Sequence, residues 1–137
     1  MGLSGQGCAF CRILAGELAA EIVDEDDHTV AFMDANPATR GHALVIPRRH
    51  SRDLLEVDVD DLAATTRAAQ RLAARALEVL SADGVNLWNG SGSAASDSVP
   101  HFHIHVIPRY RRDRLRLPWR PTPGVSDEIA EAAAALR

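Results

Sequence analysis

The sequence predicts an α+β domain in which an antiparallel sheet of five strands packs against one long helix. Three observations predict it. Five short apolar segments are separated by turn residues. One stretch of about twenty residues repeats apolar residues at helical spacing. The chain has 137 residues, 46% of them hydrophobic and 25% charged, which is the size and composition of a single folded domain. Such a domain buries roughly two thirds of the surface its unfolded chain exposes, so it needs no disulfides to fold.

Each element has its own signal. Residues 10–18 (FCRILAGEL) form a short N-terminal helix ending near Gly16. Residues 20–23 and 28–33 read as two strands, with the acidic stretch Asp24–Asp27 as the hairpin turn between them. Asn36, Pro37 and Gly41 make residues 35–41 a loop. HALVIP (42–47) is the third strand, ended by Pro47. The long helix starts at an N-cap, Asp58, with Asp60 and Asp61 in the first turn where the helix dipole favours them. Leu62, Ala69, Ala73, Ala76, Leu77 and Leu80 form its apolar face, Arg67, Arg71 and Arg75 the other, and Gly84 suits the C-terminal cap. VNLWN (85–89) is the fourth strand, GSGSAASDS (90–98) a loop, and VPHFHIHVIP (99–108) the fifth strand. A final helix in the tail runs from about Ser126 to Leu136.

Composition excludes several chemistries. There is no Lys: all 15 basic residues are Arg. P-loop NTPases, Schiff-base enzymes and protein kinases each need a Lys and drop out. Phosphate or nucleophile chemistry must use His, Arg, backbone N–H groups or a metal. Residues 1–100 carry 15 Asp/Glu against 8 Arg, whereas residues 101–137 carry 4 against 7. An acidic body with a basic end suits a small anionic ligand better than general nucleic-acid binding. No run of about 18 apolar residues occurs, so no transmembrane helix is expected. The N-terminus lacks the basic and apolar regions of a secretory signal, so the expectation is a cytoplasmic protein with reduced thiols.

Three of the six histidines fall within five residues: His101, His103 and His105. On a strand they share one face, while Phe102, Ile104 and Val106 face the core. Neighbouring imidazoles would lie about 6.5–7 Å apart. Such a row can act on one small anionic substrate or hold one metal; a solvated polar face is the plain alternative. The preceding loop, with Asn89, Gly90, Ser91, Gly92 and Ser93, can present N–H and hydroxyl groups to an anion. Cys8 and Cys11 have the C-x₂-C spacing that lets two thiolates grip one Zn²⁺, with two further ligands needed. Core cysteines or a redox pair are the alternatives; a redox motif should lie near a βαβ pattern, and this one precedes a short helix.

HFHIHVIPR resembles the defining signature of the histidine-triad (HIT) superfamily of nucleotide hydrolases and transferases. VAFMDANPATRGHALVIPRRH (30–50) resembles the family's second block, NGSGSAASDSVPH (89–101) its phosphate loop, and CAFC its zinc-bearing bacterial branch. The resemblance covers roughly residues 8–109, within a single domain of residues 1–137 whose tail, 110–137, is basic and Pro-rich.

The resemblance implies a HIT-like fold and a role for each motif residue. His103 would be the nucleophile that attacks the α-phosphorus of a nucleotide, and His105 would hydrogen-bond the phosphate or leaving group. Asn89 and Ser98 would hold phosphate oxygens, Asp34 the ribose hydroxyls, and His42 would support. Phe10, Ile13 and Phe32 would wall a purine pocket, with ordinary core packing as the alternative for each. His50 and His101 would join Cys8 and Cys11 around a structural Zn²⁺. Ser96 and Asp97 stand where the family usually has Gly-Gln, and a carboxylate beside a phosphate is unfavourable unless turned away, protonated or paired.

The function implied is hydrolysis or nucleotidyl transfer at the α-phosphate of purine nucleotide conjugates, phosphoramidates or dinucleoside polyphosphates, by a homodimer. The alternative is a purine-nucleotide-binding adaptor with little turnover. The arginine-rich tail, with Tyr110 and Trp119, reads as an RNA patch, a site rim or interface, or a solvated face; the resemblance favours a dimer whose C-terminal segment reaches the partner's site.

Overall fold

A computed structural model describes residues 7–96, 99–116 and 118–137. The sheet has five antiparallel strands in the order β1-β2-β3-β5-β4: β1 (Ile22–Glu25), β2 (Thr29–Met33), β3 (Ala43–Pro47), β4 (Gly84–Trp88) and β5 (Ile104–Arg109). Among the described residues three α-helices accompany it, α1 (Ala9–Leu14), α2 (Val59–Val79) and α3 (Ser126–Leu136), with a short 3-10 helix at Ser93–Ala95. The α+β class, the five strands and the three helices are as the sequence predicts.

The sheet divides the core in two. Alternate side chains of a strand face opposite ways. Ala31, Val45, Ile104 and Val106 pack with Phe102 against Ala68 and Ala69 of α2. Val30, Phe32, Leu44 and Ile46 pack on the other side with Cys8 and Phe10 of the N-terminal arm. Small residues dominate the seam of α2: Ala64, Thr65, Ala68, Ala69 and Ala76 are buried. Leu77, expected on that seam, is half exposed; it lies about 100° of helix rotation past Ala76.

Several boundaries differ from the sequence reading. β1 begins two residues late and takes in Asp24 and Glu25, because Asp26 makes the turn alone. Its carboxylate accepts the backbone N–H groups of His28 (2.8 Å) and Thr29 (2.7 Å). Gly84 does not cap α2 but opens β4. The helix stops at Leu80, Ser81 takes the left-handed conformation (φ 57°), and the N–H groups of Leu80 and Ala82 both reach the carbonyl of Ala76. β5 starts at Ile104 rather than 99. Opposite residues 102 and 103, β3 ends at Pro47, which has no N–H to offer. The Phe102 N–H goes to the Ser51 carbonyl instead (2.7 Å). No helix among the described residues is long and apolar enough to cross a membrane.

Candidate functional site

The first constellation joins three separate parts of the chain. Cys8 caps α1, its sulfur accepting the Cys11 N–H (3.3 Å). That places Cys11 beside it at the start of the helix. His50 follows β3 and His101 precedes β5. Cys11 Sγ lies 3.2 Å from His50 Nδ1 and 3.5 Å from His101 Nδ1. Cys8 Sγ lies 3.5 Å from His101 Nδ1, and the two Nδ1 atoms are 3.2 Å apart. A tetrahedron with Zn–S of about 2.3 Å and Zn–N of about 2.0 Å has edges of about 3.3–3.8 Å, so these spacings suit one such ion.

The protonation chemistry agrees. His101 Nε2–H donates to the Pro47 carbonyl (2.9 Å), which leaves Nδ1 with its lone pair toward the cysteines. Burial holds the His101 pKa down to about 4, so the ring stays neutral as a ligand must. Burial and the neighbouring Cys8 push the Cys11 thiol up to about 11. A divalent cation supplies the opposing charge that such thiols need to ionise. The two cysteines are not joined by a disulfide.

The second constellation lines a cavity of about 790 Å³ beneath α1. Phe10, Ile13, Phe32, Asp34, His103 and His105 all line it. His103 is buried, and its Nδ1–H donates to the His101 carbonyl (2.7 Å). Nε2 therefore keeps its lone pair. The Phe10 ring stands edge-on to His103, with centroids 5.1 Å apart, and the His103 and His105 rings are 5.0 Å apart. That is closer than the roughly 6.5–7 Å expected along an ideal strand, the two rings leaning toward one another edge to face. Both rings therefore belong to a packed site rather than a solvated face.

Behind His105 stands His42, at the entry to β3. Its Nε2 lies 2.9 Å from His105 Nδ1 and 3.4 Å from Asp34 Oδ2. The backbone N–H of Ala38 donates to its Nδ1 (2.9 Å). Asp34 Oδ1 accepts the Asn36 N–H (2.7 Å), which folds the loop back over the ring. Burial lowers the His42 pKa, and the nearby Asp34 opposes that. Burial, with the neighbouring His103 and His42, takes His105 down to about 4.

Asn89 is placed differently from the other motif residues. Its side-chain N–H donates to the His103 carbonyl (2.9 Å), so it steadies the backbone of the central histidine. Ser98 and Asp97 lie outside the described residues. His28 sits in the β1–β2 turn. In the tail, Arg109 pairs with both oxygens of Asp113 (2.9 and 2.8 Å), and Arg116 and Trp119 line a cavity of about 410 Å³ with Trp88, His42 and His105. This second cavity fits the reading of the tail as a site rim, whereas the Ala38 N–H and the Pro47 carbonyl were not foreseen. The density of Arg in the tail, with Tyr110 and Trp119 among them, is the sequence signal for that cavity.

The family model of the HIT domain matches residues 15–112. An uncharacterized HIT-like protein of Methanocaldococcus jannaschii is 40% identical over 106 residues, 77% of this chain and 81% of that protein. Among solved structures, a protein of Streptococcus mutans is 30% identical with a TM-score of 0.89, covering 96% of this chain and 83% of that one. A Zn-bound histidine triad family protein of Mycobacterium smegmatis is 37% identical with a TM-score of 0.79, covering 96% of both chains.

Proposed function

The chain belongs to the HIT family, and from that premise we propose that it is a nucleotide hydrolase or nucleotidyl transferase. It acts on the α-phosphate of purine nucleotide conjugates, phosphoramidates or dinucleoside polyphosphates. The observation that carries this reading is the bond from His103 Nδ1–H to the His101 carbonyl, which leaves a nucleophilic Nε2 in a ring facing the larger cavity. The base lies against Phe10, Ile13 and Phe32, and Asp34 accepts hydrogen bonds from the ribose.

His103 Nε2 attacks the α-phosphorus. The bond from phosphorus to the leaving oxygen or nitrogen breaks, and the leaving group departs with the electron pair and takes a proton from solvent. A water or another acceptor then attacks the nucleotidyl-histidine, releases the nucleotide and loses the balancing proton. His105 hydrogen-bonds the charge that develops. Splitting one displacement into two is the advantage of covalent catalysis. Asn89 keeps the His103 backbone in place; Ser98 serves the phosphate.

Zn²⁺, held by Cys8, Cys11, His50 and His101, would cross-link the N-terminal arm to the sheet rather than enter the chemistry, since four protein ligands close its shell. The active form is a homodimer in the cytoplasm. The exposed edge of β4 and the half-exposed Leu87 and Trp88 on it support an interface there.

Incubation with an adenosine phosphoramidate should leave adenylate on His103, seen by mass spectrometry and absent from His103→Ala. Turnover that survives His103→Ala defeats the mechanism. Tight nucleotide binding without product favours the adaptor reading.

A further inference from the structure

His42 Nδ1 faces a backbone N–H, that of Ala38, at 2.9 Å. A backbone N–H only donates, so Nδ1 must accept. In a neutral imidazole the proton is then on Nε2. That Nε2 is 2.9 Å from His105 Nδ1 and 3.4 Å from Asp34 Oδ2, so its shorter hydrogen bond goes to His105. His105 Nδ1 therefore accepts, and the proton of His105 sits on its Nε2. His103 is the reverse, with Nδ1 protonated and Nε2 bare.

We propose that His42 is a positioning residue that sets the tautomer of His105. Through it, the Ala38 N–H makes His105 an Nε2–H donor beside the Nε2 lone pair of His103. The loop is built for this. Asp34 draws in the Asn36 N–H, and the turn through Pro37 brings the Ala38 N–H onto the ring, while the His42 N–H returns to the Thr39 carbonyl (3.2 Å). Burial lowers the pKa of both rings, against the opposing pull of Asp34, and so favours a tautomeric over an ionic relay. In the reaction, His105 Nε2–H would hydrogen-bond the leaving atom as it gains charge, without giving up its proton. This catalytic consequence rests on the hydrolase reading; the tautomers do not.

The same atoms could be read as a metal site, since Asp34, His42 and His105 offer two imidazoles and a carboxylate with donor atoms within 4.8 Å of one another. The backbone argues otherwise. A metal on His42 Nε2 would force the proton onto Nδ1, where it would meet the Ala38 N–H head-on. At the cysteine cluster the backbone partner is a carbonyl, and it frees the metal-facing nitrogen of His101.

The test is long-range ¹H–¹⁵N NMR of the histidine rings in the full-length protein at neutral pH. In wild type, His105 should show a protonated Nε2 and a bare Nδ1, and His103 the opposite. In His42→Phe the His105 signal should move to mixed tautomers, and in His42→Gln, whose amide N–H can replace the donor, it should return toward wild type. With an adenosine phosphoramidate, His42→Phe should lose about tenfold or more in kcat with KM little changed, the effect expected for one lost charge-stabilising hydrogen bond. A p-nitrophenyl ester of the same nucleotide, whose leaving group needs little help, should lose much less.

A wild-type His105 protonated on Nδ1 overturns the proposal, and so does an unchanged tautomer in His42→Phe. Equal losses with both leaving groups, or Zn²⁺ bound stoichiometrically by Asp34, His42 and His105, overturn it too. The wild-type spectrum decides the assignment even where a variant fails to fold. No nucleotidyl-His103 with any substrate would instead refute the hydrolase reading and leave the tautomers standing.

Discussion

At His101 and His103 a single carbonyl decides which ring nitrogen is free, and the two outcomes suit two different tasks. Pro47 leaves His101 Nδ1 for the cysteine cluster; the His101 carbonyl leaves His103 Nε2 for the cavity. The alternation of His with apolar residues made the triad legible. It could not reveal these partners, because backbone groups are the same at every residue and carry no signal of type. It also could not foresee that Asn89 holds the His103 backbone. The titration of His105 is testable. The ring has a pKa of about 4 in the fold and 6.5 as its ordinary value. Between those values the unfolded chain binds more protons, so stability is full above 6.5 and falls as pH drops toward 4. This one group contributes up to about 3 kcal/mol across that window. Urea denaturation of wild type should therefore show a larger loss between pH 7 and pH 4.5 than that of His105→Asn, which lacks the titrating ring. Equal losses would contradict the assignment.

At the scale of elements, periodicity located the five strands and three α-helices of the described residues, misplaced some of their ends, and left the short 3-10 helix Ser93–Ala95 as loop. The reasons are local. Asp26 makes its turn with one carboxylate, which burial would raise but which the N–H groups of His28 and Thr29 and the Arg71 guanidinium hold at about 2. Ser81, not Gly84, takes the left-handed position after α2. Pro47 ends β3 as its sequence promised, but the same proline shortens β5, an effect between distant segments. Gly41 is the element-scale test. Its φ is +89°, and a Cβ there would collide with Leu80 and come within 3.2 Å of Pro108. Gly41→Ala should destabilise by about 1–3 kcal/mol, as expected for a side chain forced into left-handed backbone. It should also disturb the loop around the His42 ring. Thermal denaturation and the His42 ring signals would report both effects.

Across the whole molecule, the fold class was legible from five strands and one long helix, but the strand order was not. Local patterns cannot say that β5 inserts between β3 and β4. The Cys8, Cys11, His50 and His101 cluster joins α1 to the segments that follow β3 and precede β5, so loss of an ion held there should act globally. Elemental analysis should give about one Zn²⁺ per chain, and Cys8→Ser should lose it, lower the melting temperature and expose residues 7–14 to protease. A metal-free wild type with an unchanged melting temperature would refute the site. For assembly, light scattering should give a dimer, and Leu87→Asp, on the exposed edge strand, should give a monomer with unchanged far-ultraviolet circular dichroism. One face of the sheet meets α2 and the other meets the site, with Ile104 and Val106 packed on the helix side and His103 and His105 lining the cavity on the other, so a substitution beside Ala68 or Ala69 acts on the first face. Substitutions on opposite faces should combine additively. Heritable change can then tune robustness on the helix side while ligand preference drifts on the other, each lineage exploring the two almost independently.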